Sequence, residues 1–209
     1  MTCGQPVRKA SERLLMSERI LSCAQALAEA LHEEMSRDER VYILGEDLTA
    51  HAGIFGQFKG IPEAFPERIF DTPISEAAIV GVGVGSALTG MRPFVDLHFS
   101  DFVTCCMDEL VNQAAKIRYM LGGQVKVPMV VWCPDGAGIR AAAQHSQSLE
   151  AWFVHTPGLK VVVPSEPADV KGLEALVTAA VQQAVQAALE LKKTETERVT
   201  GGILPDLGF

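Results

Sequence analysis

Two stretches carry residue types whose spacing could do chemistry. In DTPISE (71–76) an apolar run ends at Asp71, Pro73 enforces an extended turn, and Ser75 is placed to cap a helix with Glu76 in its first turn. A carboxylate there can hold a proton or accept a hydrogen bond from a ligand. It can equally be an ordinary first-turn glutamate favoured by the helix dipole, and spacing alone favours that plainer role. In AAAQHSQ (141–147) His145 stands between two amides after the glycine-containing loop DGAGIR (135–140), an unusual setting for a core histidine. Its imidazole could donate a proton, although a lone histidine is more often structural. No second histidine lies at metal-ligand spacing, so no zinc site is expected.

Other stretches invite chemistry and do not support it. GVGVGSALTG (81–90) is not a dinucleotide fingerprint. Counted from Gly81 or Gly83, the sixth position is Ser86 or Leu88, and TPISEAA separates the stretch from any preceding strand. Small residues at this spacing imply a helix packed closely on its neighbour. The five cysteines, Cys3, Cys23, Cys105, Cys106 and Cys133, form no C-x-x-C and no zinc-type set. Reduced, mostly buried thiols in a cytoplasmic protein are the expectation. The net charge of −8 argues against a nucleic-acid partner, because phosphate binding needs clustered Lys and Arg. No apolar run reaches membrane-spanning length, and the first fifteen residues hold no apolar core of a secretory signal.

The elements that must position Glu76 and His145 alternate along the chain. VYILGED (41–47), RIFDT (68–72), RPFVDLHF (92–99), VPMVVWCP (127–134) and LKVVVPS (159–165) read as buried strands. Helical patterns occupy 17–36, 75–90, 101–121 and 146–154, the first with Ser17 as its cap and Asp38 at its end. Such alternation predicts an α/β fold: a Rossmann-like parallel sheet with helices on both faces. Ligands of such sheets sit at the carboxyl ends of the strands, where Glu46, Asp71, His98 and Pro134 fall. Three regions are expected: an extension over 1–16, the α/β domain over 17–166, and an amphipathic helix and tail over 167–209. Val170, Leu173, Val177, Val181, Val185 and Leu189 form the stripe of that last helix.

The blocks RIFDTPISEAAIVGVGVGSALTGMRPFVDLHFSDF, NQAAKIRYMLGGQVKVP, AAAQHSQS and PGLKVVVPSEPADVKGL resemble consecutive blocks of one family, in order and spacing, from about residue 17 to 175. It is the β subunit of the decarboxylating component of 2-oxo acid dehydrogenase complexes, including pyruvate, branched-chain and acetoin versions. RYMLGG, GAGIRAAAQHSQ and the paired cysteines lean toward the acetoin branch.

The resemblance implies a pyrimidine-binding domain for thiamine diphosphate, and an oxidoreductase that cleaves a 2-oxo acid or acetoin and passes the acyl group to a lipoyl arm. Glu76 matches the carboxylate that hydrogen-bonds the aminopyrimidine and favours its imino tautomer. Glu46 matches an acid lining the cofactor end of the first strand, Phe102 an aromatic beside the pyrimidine, and His98 a further pyrimidine contact. His145 matches a histidine near the substrate and the entering lipoyl group. The backbone carbonyl of Met129 matches part of a monovalent-cation site, for K⁺.

Two departures qualify the transfer. The Gly-Asp-Gly and Asn-Asn motif that holds Mg²⁺ and the diphosphate is absent, since Asn112 is the single asparagine. The resemblance therefore implies an α subunit supplying Mg²⁺, beside a second β subunit and a lipoyl-bearing acyltransferase core, and a chain inactive without that α partner. After KGL, VTAAVQQAVQAALELKK stands where the family continues into a C-terminal domain. A catalytically silent interaction module and a transketolase-like pyrimidine domain are the alternatives, the second opposed by AAAQHSQ and RYMLGG.

Overall fold

The computed structural model describes residues 21–170, so the expected extension over 1–16 and the tail beyond 170 lie outside the described residues. The first helix, α1 (Cys23–Arg37), begins later than the expected 17–36. Ser22, not Ser17, caps it: the Ser22 hydroxyl accepts from the Gln25 N–H at 3.2 Å, and the Gln25 side chain accepts from the Ser22 N–H at 2.8 Å. This reciprocal box satisfies two otherwise unpaired donors, which fixes the start there. Asp38 ends the helix as expected.

Strands β1 (Val41–Gly45), β2 (Ile69–Asp71), β3 (Arg92–Asp96) and β4 (Val130–Trp132) form one parallel sheet in the order β2-β1-β3-β4. Side chains alternate across it. Val41, Ile43 and Phe94 join Leu27, Leu31 and Met35 of α1 on one face, while Tyr42, Leu44 and Val95 join Ile79, Val80 and Val84 on the other. That second face is covered by α4 (Glu76–Leu88); the short helices α2 (Leu48–His51) and α3 (Ile61–Ala64) contribute Leu48 and Ile61 to the first. The expected parallel sheet with helices on both faces is the observed architecture.

Three elements depart from the sequence reading. Residues 101–121 break into a 3₁₀ segment (Ser100–Cys106), a π segment (Asp108–Ala114) and the short helix α5 (Ile117–Met120). Side chains there bond back to the backbone, Thr104 Oγ1 to the Asp101 carbonyl at 2.9 Å and Cys106 Sγ to that of Val103 at 3.6 Å, competing with a regular α ladder. The helix expected over 146–154 shortens to α6 (Glu150–Val154). LKVVVPS (159–165) forms no strand: Val162 and Val163 are exposed, and β4, at the edge of the sheet, is only three residues long, too short to template another. Helical backbone resumes over 167–170, and Val170 is buried in the first core.

Close packing of α4 rests on Gly83, where an added Cβ would lie 2.8 Å from Val95 Cγ2 and 3.3 Å from Met129 Cε. At Gly85 an added Cβ would meet nothing within 4 Å. Gly83→Ala is expected to destabilise by about 1–3 kcal/mol through overpacking. Gly85→Ala, at an exposed helical position, should stabilise by roughly 0.5–1 kcal/mol. Urea midpoints of the two variants check this, and equal effects would contradict it.

Candidate functional site

The turn between β2 and α4 is tied down residue by residue. The Asp71 carboxylate accepts the N–H of Leu48 at 2.6 Å and of Thr49 at 3.2 Å, so it caps α2. The Thr72 N–H donates to the Gly45 carbonyl at 2.8 Å, continuing the β1–β2 ladder past the end of the sheet. Gly45 itself must lack a side chain, because a Cβ would come 2.8 Å from the Asp96 carbonyl oxygen of β3. Ser75, expected to cap α4, makes no side-chain cap bond. Its ψ of 80° departs from the extended cap backbone seen at Ser22, where ψ is 161°. The dipole of α4 favours the half-buried carboxylate of Glu76 in its first position.

Glu76 and Glu46 are brought together here. Burial holds the Glu46 carboxyl above the usual carboxylate range, His98 pulls it down, and the neighbouring charges of Glu76 and Asp47 push it further up. Burial, with the nearby charges of Glu109 and, less strongly, Glu76, pushes the Cys106 thiol up to about 12, and burial pushes Cys133 up to about 12 as well. Neither is a thiolate near neutrality, but among the described residues the expectation of mostly buried thiols holds fully only for Cys106: Cys23 and Cys133 are half-buried and Cys105 is exposed.

His98 sits at φ 61°, a left-handed conformation uncommon for a residue with a side chain. Its Nε2 lies 3.0 Å from the Glu46 carbonyl oxygen and 3.6 Å from Asp96 Oδ2, so the ring ties the ends of β1 and β3 together. Asp96 is almost fully buried; its Oδ2 accepts from Gln57 Nε2 at 3.4 Å, while its Oδ1 has no partner among the described residues. Burial pushes its carboxyl up to about 6, against the lowering effect of His98.

Phe102 and His145 are the second pair the fold brings together, with ring centroids 5.3 Å apart. Phe99 packs edge-to-face on both, 4.8 Å from His145 and 5.7 Å from Phe102. Phe99 also lines a pocket of ≈210 Å³ with Phe55, Gln57, Trp132 and Asp135. The segment carrying Phe102 is packed on α4, which starts with Glu76. Sequence reasoning missed Asp96, Asp101 and Gln147. The last two connect the Phe102 segment to the His145 loop, and the second amide of AAAQHSQ was the available signal for them.

Residues 20–196 match the family described as "Transketolase, pyrimidine binding domain", which is most of the chain. The chain belongs to the transketolase pyrimidine-binding domain family. That match runs beyond residue 175, where the resemblance read from the sequence ends. Among relatives of this pyrimidine-binding domain, the β subunit of acetoin:2,6-dichlorophenolindophenol oxidoreductase from Cupriavidus necator is 48% identical over 165 residues, 74% of this chain and 49% of that protein. The 2-oxoisovalerate dehydrogenase β subunit of Bacillus subtilis is 46% identical, over 74% of this chain and 47% of its own length. The pyruvate dehydrogenase E1 β subunit of Rickettsia conorii is 45% identical, over 73% of this chain and 47% of its own length. The chain thus spans about half the length of the curated relatives it matches. A solved structure titled "Split gene transketolase, inactive beta4 tetramer" shares the fold, with a TM-score of 0.60 at 22% identity over 75% of this chain and 48% of that one.

In this pyrimidine-binding domain Met129 stands apart from the other expected site residues. It precedes β4, at the amino end of the sheet, and its side chain packs under α4, whereas Glu46 and His98 follow the carboxyl ends of β1 and β3. Among the described residues no group of three or more His, Cys, Asp or Glu could hold a metal ion. No helix among them is long and apolar enough to cross a membrane.

Proposed function

We propose that this chain supplies the pyrimidine side of a thiamine-diphosphate site in a 2-oxo acid or acetoin dehydrogenase, as a cytoplasmic β-type subunit with residues 17–166 as its working unit. One observation carries the reading. Glu76, at the first turn of α4, shares the carboxyl end of the sheet with the raised carboxyl of Glu46. The 44–48% identity to β subunits of 2-oxoisovalerate and pyruvate dehydrogenases and of an acetoin oxidoreductase supports the reaction class.

The residues present fit the pyrimidine half of the cofactor. A half-buried carboxylate and a second acid whose carboxyl is raised by burial can hydrogen-bond a heteroaromatic amine, and Phe102 offers it an apolar ring. Bound thiamine diphosphate would supply the electron sink for cleavage next to a carbonyl. Glu76 would hold the proton that sets the pyrimidine tautomer. Glu46 would line the same end, and His98 would act chiefly by fastening it. His145 would face the reacting group and the lipoyl arm. Mg²⁺ and the diphosphate fall to an α-type partner in this reading, K⁺ to a site using the Met129 carbonyl, and a second β subunit and the acyltransferase core complete the assembly.

Co-purified with an α-type chain carrying the diphosphate motif, the protein is expected to support 2-oxo acid- or acetoin-dependent reduction of an artificial acceptor, and none without it. An intact complex lacking any such activity would favour the association-only alternative.

A further inference from the structure

We propose that Asp101 and Gln147 form a clamp that positions His145, an inference that rests on the reading of His145 as the residue facing the reacting group. The loop from Asp135 to Gln147 has little regular structure of its own, with left-handed backbone at Gly136, Arg140 and Ala142 and one short 3₁₀ turn (Ala143–His145). Such a loop does not hold an imidazole in one place by itself. What fixes it is Gln147, two residues beyond His145. The Gln147 side-chain amide donates to Asp101 Oδ1 at 2.7 Å, and its backbone N–H reaches the same oxygen at 3.3 Å. The Gln147 carbonyl accepts from the Ser100 hydroxyl at 3.3 Å and from the Gly136 N–H at 3.0 Å.

Asp101 is 5% exposed, so its carboxylate is held away from water and its bond to the amide is charge-assisted and short. Phe102, next to Asp101, is the ring on which His145 rests. The clamp therefore sets the spacing between the two segments that form the His145 side of the site. Asp101 and Gln147 are positioning residues: they act on His145 and touch no reacting atom.

The test exchanges the two partners. Gln147→Glu sets a carboxylate against Asp101 and should open the clamp, while Asp101→Asn combined with Gln147→Glu lets the Asn amide donate to the new carboxylate and should close it. In the complex with an α-type chain, Gln147→Glu is expected to lose about 10²-fold in kcat with thiamine diphosphate affinity unchanged, as for a misplacement of about an ångström. The double variant should regain most of that loss. In the full chain, the His145 imidazole resonances, displaced by the rings of Phe99 and Phe102, should move toward free-histidine positions in Gln147→Glu and return in the double variant. Unmoved resonances in Gln147→Glu would overturn the clamp. Moved resonances with intact turnover would overturn its functional role, and full turnover in His145→Ala would assign that failure to the reading of His145 instead.

Discussion

Glu76→Gln should reduce turnover of the reconstituted enzyme by about 10²–10⁴-fold and leave its thermal midpoint almost unchanged, because glutamine keeps the size and the hydrogen bond but cannot exchange a proton. The side chain is half-buried at the end of α4 that favours negative charge, so its loss removes only a modest dipole term. The substitution also has a signature at its neighbour. Glu76 helps to hold Glu46 above the usual carboxylate range, so removing that charge should let Glu46 ionise at lower pH. The direct measurement is exchange of the cofactor's reactive proton for deuterium in the complex. Exchange at the unmodified rate in Glu76→Gln would take the residue out of the proposed role.

His145 yields the second large effect, of a different kind. His145→Ala is expected to lower kcat by about 10²-fold while thiamine diphosphate affinity stays within a few-fold, since the ring packs on Phe99 and Phe102 rather than among Glu46, Glu76 and His98. Alanine also removes two edge-to-face contacts, worth about 0.5–1.5 kcal/mol each, so some stability goes with it. His145→Phe separates the two losses: it refills the aromatic cluster but carries no proton. It should be as stable as the parent chain and as inactive as the alanine variant. A fully active His145→Phe would make the residue a packing element only.

Much of this was legible before the fold was seen. The short apolar runs in VYILG and RPFVD and the glycine-rich stretch between them are local patterns, and they hold as β1, β3 and α4. The carboxyl-end placement of Glu46 and His98 followed from strand direction alone. What failed depends on partners distant in sequence. LKVVVPS has the composition of a strand but needs an edge longer than β4, and 101–121 has a helical period that Thr104 and Cys106 interrupt by bonding back to the chain. Nor does any sequence pattern announce the left-handed backbone at His98 that accompanies the contact of its ring with the Glu46 carbonyl. Asp96, in an expected strand, and Asp101, at the start of an expected helix, carry no sign in the sequence of their partners, Trp132 of β4 and Gln147 of the His145 loop, beside which they are buried.

A cofactor site shared between this chain and an α-type partner can be tested by calorimetry. Thiamine diphosphate and Mg²⁺ would be titrated into the chain alone and into its complex with that partner. The pyrimidine contacts from Glu76, Glu46 and Phe102 are too few to order a flexible, highly charged cofactor, so the lone chain should give no saturable heat below the millimolar range, while the complex binds at roughly micromolar concentration. Micromolar binding by a demonstrated monomer of this chain would contradict the shared site and require a phosphate-binding surface within this chain.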